Sequence, residues 1–330
     1  MDHDPLHNPL HKALREKLDG RRQKSTFRQL TVLPSNSVDF SSNDFLSLAG
    51  SDEFRNAYID ALTTAASSGD FHIGSGGARL LDGNSSAAEE LERTIAAFHR
   101  APAGLLWNTG FDANSGFFAC VPQPGDVILY DELIHASAHE GMKLTRAARC
   151  IPFRHNSITD VAEQLERLVK EVPGLREARH NVIIAVESVY SMDGDLAPLA
   201  DIVKVVDEWL PAGNGHIVVD EAHATGVIGP QGRGLVCELG LEQRVFARLH
   251  TFGKALGCSG GKLKIFSIRT RVADSVAIIL CSPIVKSYLI NYARPFIYTT
   301  AMTYPSLIAI KVAYSLLQTG HTEKVCFASS

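Results

Sequence analysis

The stretch Gly215-His216-Ile217-Val218-Val219-Asp220-Glu221-Ala222-His223 decides how this chain is read. Ile217, Val218 and Val219 are three β-branched apolar residues in a row, which suits a strand covered on both faces, as in parallel sheets. The run ends in a carboxylate. Open α/β sheets hold their ligands beyond the carboxyl ends of their strands, so Asp220 stands where a ligand would lie. Similar short runs predict strands at 126–130, 182–186 and 245–251, with helix-period segments between them. Ser86-Ala87-Ala88-Glu89 reads as a capping box opening a helix to about Arg100. Residues 160–172 alternate Val and Leu with Glu, Arg and Lys, and Pro198 suits the first turn of a helix running to Leu210. The pattern predicts an α/β fold with a mainly parallel central sheet.

Composition allows that fold and excludes others. With 330 residues, 45% of them hydrophobic, the chain can bury a large core. A net charge of -4 gives no basic field for nucleic acid or a membrane surface, and neither partner is expected. Six scattered cysteines without a CxxC pair argue against a zinc module or disulfide framework, so no metal is expected and a reducing compartment is. No run of about 18 apolar residues, no signal peptide and no SKL-type ending is present, which predicts a cytoplasmic protein, an organelle being an open alternative.

Further strand ends add chemistry to Asp220. Thr251-Phe252-Gly253-Lys254-Ala255-Leu256-Gly257 follows a strand, and the glycines allow a tight turn that directs the Lys254 amine into a pocket. Asn108-Thr109-Gly110-Phe111-Asp112-Ala113-Asn114 leads into an apolar helical segment whose free N–H groups suit a phosphate. His135 and Ser191 each follow a further strand. Singly, a loop lysine or a lone histidine is most often structural. Together, an amine, a carboxylate, phosphate donors and an imidazole are what pyridoxal 5'-phosphate (PLP) requires: a Schiff-base lysine and an acid that keeps the pyridine nitrogen protonated. The Asp-Glu-Ala-His string also matches a helicase box, but no phosphate loop of the required form accompanies it.

The chain resembles the α-oxoamine synthases over roughly residues 10–261 and 277–320. The stretches that carry the resemblance are Phe40-Ser41-Ser42-Asn43-Asp44-Phe45-Leu46, Gly74-Ser75-Gly76-Gly77-Ala78-Arg79, His135-Ala136-Ser137, Ser191-Met192-Asp193-Gly194-Asp195, Asp220 to Gly226, Thr251 to Lys254 and Ala293-Arg294-Pro295-Phe296-Ile297-Tyr298. The resemblance implies the large domain of a fold-type I PLP-dependent transferase, with an N-terminal arm at 1–40, the PLP-binding domain at 41–295 and the start of a C-terminal small domain, largely missing, at 296–330. It also implies roles. Lys254 holds the cofactor, Asp220 pairs with the pyridine nitrogen, and His223 and Ser191 address the phenolic oxygen. His135 stacks on the ring and borders the substrate, Gly110, Phe111 and Thr251 contact the phosphate, and Arg28 contacts the acyl substrate. Members are homodimers.

The implied reaction is a decarboxylative condensation of an amino acid with an acyl-CoA. The local sequences sit closest to the branch joining L-alanine to pimeloyl-CoA, which yields 8-amino-7-oxononanoate, CoA and CO2 for biotin. Branches using glycine with acetyl- or succinyl-CoA, or serine with a fatty acyl-CoA, are the alternatives, as is an inactive truncated remnant.

Two stretches depart from the family. Residues 262–276 interrupt the passage from Gly261 to the expected strand Ala277-Ile278-Ile279-Leu280-Cys281, and bring four basic residues and one acidic. The family also continues beyond the place where this chain stops. We expect both departures to be retained introns, because Gly261-Lys262 and Lys324-Val325 can each be encoded across a splice-donor sequence. Gly257-Cys258-Ser259-Gly260-Gly261 fits the G-x-S-x-G of a serine hydrolase, but only Asp274 and His321 follow as triad partners, which leaves that reading weak.

Overall fold

The computed structural model describes residues 8–30, 34, 37–68, 71–258, 262–265, 268–271 and 276–327. The hydrolase-like Ser259-Gly260-Gly261, the first residues and the last three lie outside these, as do the side chains of 262–275. The chain divides into two compact units, Met1–Ser41 and Ser42–Ser330.

The first unit carries one helix, Pro9–Gln23. Asn8 caps it by accepting the Leu10 N–H at 2.9 Å, Pro9 occupies the first turn, and Arg21 and Arg22 lie in the last turn, where the helix dipole favours cations. None of its residues is buried.

The second unit is built on a seven-stranded sheet. In chain order the strands are β1 (Ala103–Trp107), β2 (Val127–Asp131), β3 (Arg149–Phe153), β4 (Val182–Glu187), β5 (Gly215–Asp220), β6 (Val245–Thr251) and, after the pair β7 (Lys262–Ile265) and β8 (Ile268–Arg271), β9 (Ala277–Cys281). The spatial order is β1-β9-β6-β5-β4-β2-β3. β9 runs antiparallel to both of its neighbours, and all other pairings within this sheet are parallel. β7 and β8 pair only with each other, while β6 and β9 keep an unbroken register from Ala247↔Cys281 to Thr251↔Ala277.

The unbroken apolar runs follow from burial on both faces. Along β4, Val182, Ile184 and Val186 enter one hydrophobic cluster while Ile183 and Ala185 enter another. β5 repeats the division, with Ile217 and Val219 on one side and Val218 on the other. A third cluster joins the helices Asp52–Ser67, Ser86–Phe98 and Tyr304–Gln318 to Ile278 and Leu280 of β9.

Local expectations shift by small steps. The helix opening near Ser86 is capped by Ser85, whose hydroxyl accepts the Ala88 N–H at 3.2 Å, one residue earlier than the capping box suggested. Pro198 is the N-cap of Leu199–Trp209 rather than part of its first turn. No helix among the described residues is long and apolar enough to cross a membrane.

Candidate active site

The carboxyl ends of β4, β5 and β6 meet the start of the helix Gly110–Cys120 around a cleft of about 350 Å³. Lys254, Asp220, His223, His135, Gly110, Phe111 and Thr251 all line it. Two expected residues remain. Ser191 is exposed and does not line the cleft; it lies on the loop bracketed by the Val189↔Leu196 bridge. Arg28 belongs to the first unit.

Asp220 is the anchor. It is 8% exposed, its Oδ1 accepts the Ala222 N–H at 2.9 Å and its Oδ2 accepts from Asn114 Nδ2 at 2.8 Å. The same Asn114 amide reaches Ser137 Oγ at 3.0 Å, and Ser137 Oγ lies 2.7 Å from His135 Nδ1. His135 Nδ1 also accepts the Ser137 N–H at 3.2 Å, so the ring caps its own helix, Ala136–Lys143. A chain of hydrogen bonds thereby fixes the imidazole relative to the carboxylate.

Lys254 sits on the turn the glycines were expected to allow. The Gly257 N–H donates to Lys254 O at 2.9 Å, and Gly257 has φ +60°, where a Cβ would strike the Ala49 backbone nitrogen at 2.6 Å. Burial lowers the amine's pKa, against the opposing pull of the Asp220 and Glu187 carboxylates. Burial also lowers His135, and lowers His223 to about 4 with help from Lys254, which in both favours the neutral ring. The Phe45 ring lies 6.4 Å from that of His223.

Sequence reasoning passed over Glu187, Asn114 and Ser137. Glu187, the last residue of β4, lines the cleft and is raised to about 8, by burial first and then by the Asp220 charge. Its place at the end of an apolar strand, the argument that marked Asp220, was the available signal. Asn114 lies one helical turn beyond Gly110 and so shares its face.

A seat for a phosphate is built into the helix start. Thr109 Oγ1 takes the Asp112 N–H at 2.9 Å, which leaves the N–H groups of Gly110 and Phe111 without intrahelical acceptors. A Cβ on Gly110 would come within 2.7 Å of Thr251 Cγ2 and close the space between helix and strand.

The model of aminotransferase class I and II matches residues 35–315. The chain is 54% identical over 316 residues to the 8-amino-7-oxononanoate synthase of Emericella nidulans, a match covering 96% of this chain and 72% of that one. The chain belongs to the α-oxoamine synthases, within aminotransferase class I and II. It is also 39% identical to the aminoacyl transferase sphA of Aspergillus fumigatus, over 95% of this chain and 63% of that one. An SPT structure with PLP shares the fold, at a TM-score of 0.74 and 24% identity, over 97% of this chain and 76% of that one. The chain is a PLP-dependent acyltransferase of this family, and its mainly parallel sheet is that of fold-type I. The residues present suit PLP: a desolvated amine, a buried carboxylate held by two donors, and free N–H groups at a helix start opposite a threonine.

Proposed function

We propose that this α-oxoamine synthase condenses L-alanine with pimeloyl-CoA, releasing CoA and CO2 and giving 8-amino-7-oxononanoate for biotin synthesis. The observation that carries the reading is the meeting of Lys254 and Asp220 in one cleft with His135 and His223. The identity to the Emericella nidulans synthase supports the choice of substrates.

In this reading Lys254 holds PLP, which when bound supplies the electron sink for a carbanion at the amino acid's Cα. Asp220 keeps the proton on the ring nitrogen, and its two donors hold the carboxylate toward that atom. His135, fixed by Ser137, lies against the ring face. Gly110, Phe111 and Thr251 hold the phosphate, His223 addresses the phenolic oxygen, and the family resemblance assigns the same atom to Ser191, which lies outside the cleft's lining. The lowered pKa of Lys254 makes its amine available as the base that takes the Cα proton. Arg28 contacts the acyl chain. The working form is a cytoplasmic homodimer, and 296–330 begins a second domain.

The match to the aminoacyl transferase sphA favours a second reading, in which another amino acid or another acyl donor is used. A CoA-release assay with alanine, glycine and serine against pimeloyl-, acetyl-, succinyl- and palmitoyl-CoA separates the two. Release with alanine and pimeloyl-CoA, abolished in Lys254→Ala together with the visible absorbance of the PLP-loaded protein, is the expected outcome. Release with serine and palmitoyl-CoA in its place overturns the proposed substrates.

A further inference from the structure

Outside the cleft, one imidazole lies between two carboxylates. His155 follows β3, and its Nδ1 is 2.9 Å from Asp131 Oδ1 while its Nε2 is 2.7 Å from Asp195 Oδ2. A neutral imidazole carries one N–H and can satisfy one of these contacts. Both together need the imidazolium.

The surroundings require that charge. Asp131, the last residue of β2, is fully buried. Its other partners are neutral: the N–H of Leu133 on Oδ1 and that of Asn156 on Oδ2, each at 2.9 Å, and the Tyr190 hydroxyl. A buried carboxylate without a cation is costly, and among the described residues the ion pair it makes is with His155. The remaining groups facing the histidine are the edge of the Tyr190 ring, with centroids 4.4 Å apart, the Asn156 amide 3.2 Å from Nε2, and the Glu132 carboxylate, which accepts the His155 backbone N–H at 3.0 Å. The Asn156 amide also donates to Asp195 Oδ2 at 2.8 Å, sharing that acceptor with the ring.

The two carboxylates belong to different walls. Asp131 O accepts the Ile134 N–H at 3.0 Å and so sets the turn that leads to His135. Asp195 closes the loop that carries Ser191, its carbonyl accepting the Tyr190 N–H at 3.0 Å, while Gly194 donates to Tyr190 O at 2.8 Å. We propose that His155 is a positioning residue: as an imidazolium it clamps the Ser191 loop to the buried end of β2.

Burial alone would lower the ring's pKa, but the hydrogen bonds and charges of Asp131 and Asp195 raise it above the ordinary histidine value. The clamp is therefore complete below the unfolded-state value. As pH climbs through the raised value the ring loses one N–H, and the loop loosens. The consequence for the cofactor rests on the proposed placement of Ser191. The clamp does not.

Nitrogen-15 NMR of the full chain labelled at histidine, assigned with His155→Gln, reads the ring directly. Both nitrogens protonated at pH 7 is the expected result, and a singly protonated ring there overturns the proposal. Asp195→Asn, at a partly exposed carboxylate, tests it a second way even where His155→Gln fails to fold. It should lower the titration midpoint of His155, speed amide exchange over 189–197 by about tenfold, and weaken PLP binding to a similar degree. Unchanged exchange overturns the clamp, and faster exchange with unchanged PLP affinity overturns the positioning role. A protein that keeps the clamp and binds PLP but releases no CoA refutes the proposed reaction alone.

Discussion

Glu187 and Asp220 are register partners at the carboxyl ends of β4 and β5, so two carboxyl groups and the Lys254 amine share one cleft. Two acids so placed do not both ionise readily, and the raised value of Glu187, about 8, follows from burial and from its neighbour's charge. A raised folded-state value means the folded protein binds the extra proton between the unfolded carboxylate range and about 8. Stability of the PLP-free protein should therefore fall as pH rises across that window. Glu187→Gln, which is neutral throughout, should flatten the fall, with a larger gain in Tm at pH 8 than at pH 5. Parallel thermal melts check this, and an equal shift at both pH values would count against a protonated Glu187.

Asp220→Asn keeps the shape but removes the charge that would hold a proton on the ring nitrogen. The buried amide also sets an NH2 group against either the Ala222 N–H or the Asn114 amide, two donors already in place. We expect kcat/KM for CoA release to fall by on the order of 10²-fold or more, with the Lys254-dependent visible absorbance retained but shifted. Retained kcat/KM would remove Asp220 from the chemistry.

The phosphate seat can be closed and reopened. Gly110→Ala sets a methyl against Thr251 Cγ2, where the available distance is 2.7 Å, while helix propensity at that position improves. PLP affinity should drop by about tenfold with little change in Tm. Thr251→Ser removes the obstructing methyl and keeps the hydroxyl, so the double variant should recover most of the lost affinity. Fluorescence titration of the three proteins with PLP measures this, and a double variant no better than Gly110→Ala would place the defect elsewhere.

What could be read from residues alone was what burial writes into them. β4 and β5 are apolar because both faces are covered, and the polar residues that end them, or follow β6, mark the cleft. β3 was passed over because it is an edge strand: Arg149, Cys150 and Pro152 are exposed, so it carries no apolar run. β1 was missed because it opens on the small Ala103 and Gly104, and its partner β9 lies far along the chain. Ser191 was expected beside the ligand from its place after β4, but it is exposed on the loop that the Val189↔Leu196 bridge closes. Glu187 carried the same strand-end signal as Asp220, but its pairing with Asp220 comes from strand register, which no single stretch of sequence displays.

Gly74 to Arg79 carried family resemblance without an evident task, and the structure gives its arginine a structural one. Glu92, on the helix Ser86–Phe98, is 1% exposed and holds two cations: Arg79 on Oε1 and Lys286 on Oε2, the latter at 2.6 Å. Oε1 also accepts the Leu106 N–H at 2.8 Å, tying the helix to β1. Removing the carboxylate leaves that amide and both cations without their acceptor. Glu92→Ala should therefore cost about 3–5 kcal/mol, a loss of roughly 10 °C in Tm. Glu92→Gln keeps the acceptor for Leu106 but turns an NH2 group toward Lys286, so its loss should be smaller and should shrink further when Lys286→Met is added. Thermal unfolding of the two single variants and the double variant closes the cycle, and additive losses would mean that Glu92 and Lys286 act independently.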